Sequence, residues 1–337
     1  MKKRIASFSF LFTLAFLQVA VAGIISIHNQ TDVQNKRQQL IELIFGKQEV
    51  PQRLPDKIEK SVPDSDFVDL ENLERIDKLT IEMEWGLKSI AYHFIPRKGN
   101  GELVIYHQGH RGHFVHGKEV INAFLKKGYA VIALAMPLKG LNSKPVVSHP
   151  HYGKLKISKH AHLSLLYPRS GHPVRYFLEP VIVVVNYGEQ LKYRRISMIG
   201  ISGGGWTTTL CAAIDTRIKN SYPVAGSLPF YLRLQDPKDS SWGDYEQWVA
   251  EVYQIANYPE LYVLGGTGKS RRQLQVLNQY DSCCFSGTGY RTYEESVKER
   301  VQSLGEGHFS VWLDTTHHEH KISQSALEVI FHDLETR

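Results

Sequence analysis

Apolar and polar positions change period along the chain, and each period predicts an element. KLTIEMEW (78–85) and KSIAYHFI (88–95) read as an antiparallel strand pair, and ELVIYH (102–107) as a strand buried on both faces. In GKEVINAFLKKG (117–128), Val120, Ile121, Phe124 and Leu125 fall on one helical stripe that stops at Gly128. YAVIALAMP (129–137) is a further strand. VRYFLEPVIVVVNYGEQL (174–191) reads as helical despite Pro180, RISMIG (195–200) as a strand, GGWTTTLCAAID (204–215) as a helix and NSYPVAGS (220–227) as a strand. Helical material follows in YEQWVAEVYQIANY (245–258). Strands QLQVLNQY (273–280) and HFSVWLD (308–314) flank the helix YEESVKERVQSL (293–304), and SQSALEVIFHDLE (323–335) is the last helix.

Strands alternating with helices predict an α/β fold, a mainly parallel central sheet with helices on both faces and ligands at the carboxyl ends of the strands. Two stretches, 138–173 and 228–272, are long enough to be lid-like insertions over those ends. The polar stretch before residue 78, broken by VPQRLPDK and SVPDSD, is expected to lay short helices and loops over the surface. The expected organisation is a leader (1–22), an N-terminal surface segment (23–77) and one domain (78–337).

The leader rests on MKKRIASFSFLFTLAFLQVAVAG: basic Lys2, Lys3 and Arg4, an apolar run, then Ala20-Val21-Ala22. That is the pattern of a cleaved signal peptide, so the expected location is secreted or periplasmic. The alternative is an uncleaved anchor, because the apolar run continues through Gly23-Ile24-Ile25; only then is a membrane a partner. Removing the three leader cations takes the formal charge from +6 to +3 (6 − 3), and no basic stripe interleaved with aromatics occurs, so no nucleic-acid partner is expected. Cys211, Cys283 and Cys284 are odd in number, two of them adjacent, which makes no disulfide framework. They are read either as one bridge from Cys211 to a member of the pair or as reduced thiols, with Cys283 and Cys284 packing under the neighbouring loop.

The chemistry centres on MIGISGGGWTT (198–208), which holds G-x-S-x-G at Gly200-Ile201-Ser202-Gly203-Gly204. The strand before Ser202 and the helix after it suit an exposed nucleophile on a tight turn. The other reading is a glycine-rich loop that packs a helix closely on a sheet or cradles a phosphate, though neither G-x-x-x-x-G-K-[ST] nor G-x-G-x-x-G is present.

With these residues in place, the chain resembles the alpha/beta hydrolase superfamily, over nearly the whole body. The resemblance implies the chain order serine, acid, histidine: Ser202, Asp281 after the strand 273–280, and His320 in HKIS before the final helix, preferred over His317 and His318. It also implies an oxyanion hole from the Gly203 N–H and a second donor in the turn HQGHRGH, at Gln108, Gly109 or His110. For Asp281 the competing reading is a strand-end turn residue. A metal site from His317, His318, Glu319 and His320, or from the three-residue comb His107, His110, His113 and His116, is not expected, because the first has one anchoring segment and a loop with two glycines does not hold a fixed period. No cofactor is expected.

The implied function is a serine hydrolase, most simply a carboxylic ester hydrolase working through a Ser-His-Asp triad and an acyl-enzyme. The alternatives are a peptidase of the same fold or a non-catalytic binding module on that scaffold. The polar stretch of about 50 residues is too short for the propeller that such peptidases often carry. Tyr152, Tyr167, Phe230, Tyr231, Trp242 and Trp248, with Lys154, Lys156 and Lys159, would line a site for a small-molecule, glycan or lipid ester.

Overall fold

The computed structural model describes residues 25–234 and 242–336; the expected leader lies outside them. In chain order the strands are β1 (Lys57–Glu59), β2 (Leu73–Glu82), β3 (Lys88–Pro96), β4 (Leu103–Gln108), β5 (Ala130–Ala135), β6 (Val146–His149), β7 (Gly153–Lys156), β8 (Ile196–Ile201), β9 (Ile218–Val224), β10 (Arg272–Asn278) and β11 (His308–Asp314). Nine of them form one sheet in the order β1-β2-β3-β5-β4-β8-β9-β10-β11, and β6 and β7 make a separate hairpin. The pairs from β5 through to β11 are parallel, and β1, β2 and β3 add an antiparallel edge.

Alternation along the central strands sorts the core into two layers. Leu103 and Ile105 of β4, and Ile132 and Leu134 of β5, face one cluster; Val104, Tyr106, Val131 and Ala133 face the other. The helices are α1 (Gln30–Phe45), α2 (Lys118–Lys126), α3 (His160–Leu163), α4 (Arg175–Gln190), α5 (Gly203–Ile214), α6 (Phe230–Arg233), α7 (Ala250–Ile255), α8 (Tyr258–Gly266), α9 (Glu294–Ser303) and α10 (Gln324–Glu335). Apolar residues of α2 and α10 cover the second face, and those of α1, α4, α5, α8 and α9 the first.

Two expectations need correction. The segment before residue 78 is not only short helices and loops laid over the surface: α1 is a 16-residue helix whose Val33, Leu40, Ile41, Ile44 and Phe45 enter the main core. Its few apolar residues share one face, and a capping box between Asn29 and Asp32 starts it. Residue 78 also falls inside β2 rather than at a boundary. The helix expected over 245–258 is broken. A 3₁₀ turn (Tyr245–Trp248) and α7 precede a fresh start at Asn257, whose side chain accepts the Glu260 N–H while Glu260 accepts the Asn257 N–H. Pro259 sits in the first turn of α8, where its missing N–H costs nothing. α8 is buried along its length and packs beside α5, so this end of the 228–272 stretch belongs to the helix layer.

Two arginines, Arg37 half-buried and Arg271 buried, tie the helix ends together. Arg37 of α1 donates to the Ala213 carbonyl at 2.9 Å and the Leu264 carbonyl at 3.1 Å. Arg271 donates to the carbonyls of Leu264 and Thr267, each at 2.9 Å, and to that of Ala212. The last turns of α5 and α8, where unpaired carbonyls gather negative potential, therefore face fixed cations.

Burial also holds two core histidines neutral, His93 and His107, each pushed down to about 4. Unfolded histidine titrates near 6.5, so the stability these rings contribute is complete above that pH and is lost as pH falls towards 4. Each is worth on the order of 3 kcal/mol across that window. The urea midpoint is expected to drop steeply between pH 6.5 and 4.5, and His93→Gln, which stays neutral, to flatten the drop measurably.

Candidate active site

The carboxyl edge of the sheet gathers the residues that carry chemistry. Ser202 follows β8 directly and caps α5, with φ 57° and ψ −127°. A serine rarely adopts that backbone, and it holds here because the turn is pinned on both sides. The Ser202 N–H donates to the Val224 carbonyl at 3.0 Å and its own carbonyl accepts from Trp206 at 3.0 Å.

The glycines around it are required by packing as well as by the turn. A Cβ on Gly204 would lie 2.0 Å from the His107 carbonyl oxygen, so the first turn of α5 presses on the end of β4. The nucleophile reading and the close-packing reading of this run are therefore compatible, since the glycines that let the helix approach also shape the turn at a half-buried Ser202.

Asp281 stands in the loop after β10 and is fully buried. Its Oδ2 lies 2.7 Å from His320 Nδ1, and its Oδ1 accepts the N–H groups of Cys283 at 2.8 Å and Cys284 at 3.2 Å. Burial alone would raise its pKa. The His320 contact and the two amides outweigh burial and hold the carboxyl below its ordinary range. Asn278 Nδ2 reaches Asp281 Oδ2 at 3.3 Å and the Lys321 carbonyl at 3.0 Å, linking the acid loop to the histidine loop.

Only one of the three clustered histidines makes this contact. His317 Nε2 sits 3.2 Å from Asp314, and the His318 ring stacks on Tyr280 with centroids 5.1 Å apart. β8 and β10 are two strands apart, about 10 Å, a gap that serine, imidazole and carboxylate side chains can span. Among the described residues no hydrogen bond joins Ser202 Oγ to His320; such contacts commonly close only when substrate is bound.

The turn after β4 brings Gly109 against Ser202, where a Cβ on Gly109 would come within 2.6 Å of the Ser202 Cβ. The Gln108 side-chain oxygen accepts from the Tyr106 hydroxyl. His110 stands over Gly203, its Cε1 2.6 Å from a Cβ placed there. The four-histidine comb does not converge: His107 Nδ1 pairs with the Gln108 carbonyl and His113 Nδ1 accepts the Val115 N–H, while His110 turns to Glu246.

The cysteines depart from expectation. Cys283 and Cys284 are bonded to each other, and Cys211 is free and buried. Cys211 lies nine residues into α5, about 13 Å along its axis from the strand ends. A bridge needs Cα atoms within about 7 Å. The linked pair is more than packing: its two amides hold Asp281, and Cys284 Sγ lies 3.8 Å from His320 Nδ1.

Sequence reasoning missed Asn278, His160, Asp244 and Glu246. His160 Nδ1 lies 3.0 Å from Glu246, and burial, which would lower its pKa, is overcome by the Asp244 and Glu246 carboxylates, which push it up to about 9. Of the aromatics expected over the site, Phe230 is buried against Trp248, with centroids 4.7 Å apart, whereas Tyr152 and Tyr167 are exposed.

Solved structures share this architecture. An acetyl xylan esterase from Paenibacillus sp. R4 superposes with a TM-score of 0.58 at 14% identity, covering 92% of this chain and 96% of that one. The chain has the alpha/beta hydrolase fold. Acetyl xylan esterase 1 from Thermoanaerobacterium sp. JW/SL YS485 matches with a TM-score of 0.55 at 14% identity, covering 89% and 92% of the two chains. The Pyrococcus furiosus esterase Pf2001 gives 0.51 at 14% identity, covering 85% and 98%. No family model matches the chain, and no curated protein matches it in sequence.

Gly204→Ala tests the close contact at the elbow. The neighbour is backbone, so the added methyl cannot be absorbed by a side-chain rotation, and a loss of roughly 3 kcal/mol is expected in chemical denaturation.

Proposed function

We propose that this protein is a serine hydrolase that cleaves carboxylic esters, with Ser202 as nucleophile, His320 as general base and acid, and Asp281 as the orienting carboxylate. The observation that carries the reading is the 2.7 Å contact between His320 Nδ1 and a buried Asp281, in a fold whose elbow serine is held at φ 57°. A proton fixed on Nδ1 leaves the Nε2 lone pair free to take the Ser202 proton as Oγ attacks the ester carbonyl. The Gly203 N–H, at the start of α5, supplies one donor to the tetrahedral oxyanion, and the Gly109–His110 turn beside Ser202 the other. His320 then returns the proton to the leaving alcohol, and water releases the acyl group by the same route. Gln108 acts through its place at the root of that turn.

Two of the similar structures are acetyl xylan esterases, which makes short acyl groups on a glycan the first substrates to try. The exposed Tyr152 and Tyr167 on the overhanging stretch suit a sugar face better than a long lipid chain. The polypeptide is exported, with cleavage after Ala22; intact mass of material from an exporting host is expected to begin at Gly23, and retention of residues 1–22 in the membrane fraction would establish an anchor instead.

A fluorophosphonate probe is expected to label Ser202. Ser202→Ala and His320→Ala should each lower kcat for p-nitrophenyl acetate by about 10⁴ or more, with little further loss in the double variant. His317→Ala and His318→Ala should keep most of the turnover. Labelling elsewhere, or a Ser202→Ala variant with a tenth of wild-type activity, would sink the assignment.

A further inference from the structure

Four side chains that the proposed chemistry does not use meet beside the elbow. His110 comes from the turn after β4, His160 from α3, and Asp244 and Glu246 from the segment around the 3₁₀ turn Tyr245–Trp248. His110 Nε2 lies 2.8 Å from Glu246 Oε1 and 3.8 Å from Asp244 Oδ2; His160 Nδ1 lies 3.0 Å from Glu246 Oε2 and 3.2 Å from Asp244 Oδ2. We propose that these four residues form a binding site for one divalent transition-metal ion, with zinc as the best fit.

The spacing fits tetrahedral coordination. Zinc bonds of about 2.0–2.2 Å to nitrogen and oxygen separate neighbouring ligand atoms by about 3.4 Å. The four contacts above straddle that figure, so small side-chain shifts would close the shell. One nitrogen or oxygen from each residue already lies within 4.8 Å of the others.

The second observation concerns which atoms face inward. His160 Nε2 lies 2.9 Å from the Pro137 carbonyl, which can only accept, so this nitrogen carries the hydrogen. Nδ1 is then the ring atom that faces the two carboxylate oxygens, the position in which a metal ion would take the place of the proton an imidazolium carries there. A ring nitrogen held by a backbone carbonyl while the other binds metal is the usual outer-shell pattern. Asp244 is held likewise: its Oδ1 accepts the Tyr245 N–H at 2.8 Å, leaving Oδ2 turned to the cluster.

Charge points the same way. Glu246 is fully buried, and among the described residues neither it nor Asp244 is paired with lysine or arginine. A divalent cation would neutralise both carboxylates with both imidazoles uncharged. Mixed imidazole and carboxylate donors from three chain segments suit zinc better than calcium or magnesium, which prefer all-oxygen shells. Asp244, at the surface, gives the ion a way in. Once bound, it would clamp the turn that holds His110 over Gly203 to the overhanging 138–173 stretch, a positioning role rather than a catalytic one.

The test needs no turnover, so its outcome is separate from that of the esterase reading. Full-length protein is stripped with chelator and titrated with zinc by calorimetry. One equivalent per chain with a Kd of about 1 µM or tighter is expected, together with a zinc-dependent rise in melting temperature. His160→Ala is expected to lose both. Asp244→Asn, at an exposed position where folding is safe, should weaken binding by about tenfold or more, and cobalt should give tetrahedral visible absorption in the wild type only. Absence of stoichiometric uptake at about 100 µM zinc, or uptake and melting shifts equal in wild type and both variants, would overturn the proposal and leave the cluster as imidazolium–carboxylate pairs.

Discussion

Everything at the carboxyl edge depends on how closely α5 approaches β4. The helix can begin directly after β8 only because Gly204 has no side chain to meet the His107 carbonyl, and that approach sets the angle at which the chain passes through Ser202. The positive φ of Ser202 is the local cost of the turn, offset by the hydrogen bonds to Val224 and Trp206 and by the buried first turn of α5. The same approach carries the start of α5, with its unpaired N–H groups, to the turn after β4. The strain at Ser202 and the placement of the helix start thus follow from a single van der Waals constraint.

Around that rigid centre, the polar groups are fixed by full use of their lone pairs and protons. Asp281 has contacts on both oxygens, from a ring nitrogen, a side-chain amide and two backbone amides, so the carboxylate has one orientation and keeps its charge despite burial. Low dielectric strengthens such a network when every member is satisfied. The adjacent disulfide lies in the loop that carries Asp281, and its sulfur flanks the imidazole.

The sequence made the sheet legible because β4 and β5, buried on both faces, are mostly apolar runs, and because Gly128 marks the end of the helix between them. Ser202 stood out through its strand–turn–helix context, Asp281 through chain order, and His320 through chain order and its place in HKIS before the final helix. What separates His320 from His318 is a stacking contact with Tyr280, which no spacing rule contains. α1 escaped notice because polar residues outnumber the five on its inner face. The cluster of His110, His160 and Glu246 joins positions 86 and 136 residues apart, a pairing that local patterns cannot carry. The vicinal disulfide was hidden for the opposite reason: neighbours in sequence are seldom read as partners.

The contacts of Arg37 join distant parts of the chain. Its acceptors lie 176 and 227 residues further along, at the ends of two helices that share no sequence neighbourhood with α1. One guanidinium thus holds α1 and the ends of α5 and α8 in register, and removing it would loosen all three together rather than α1 alone.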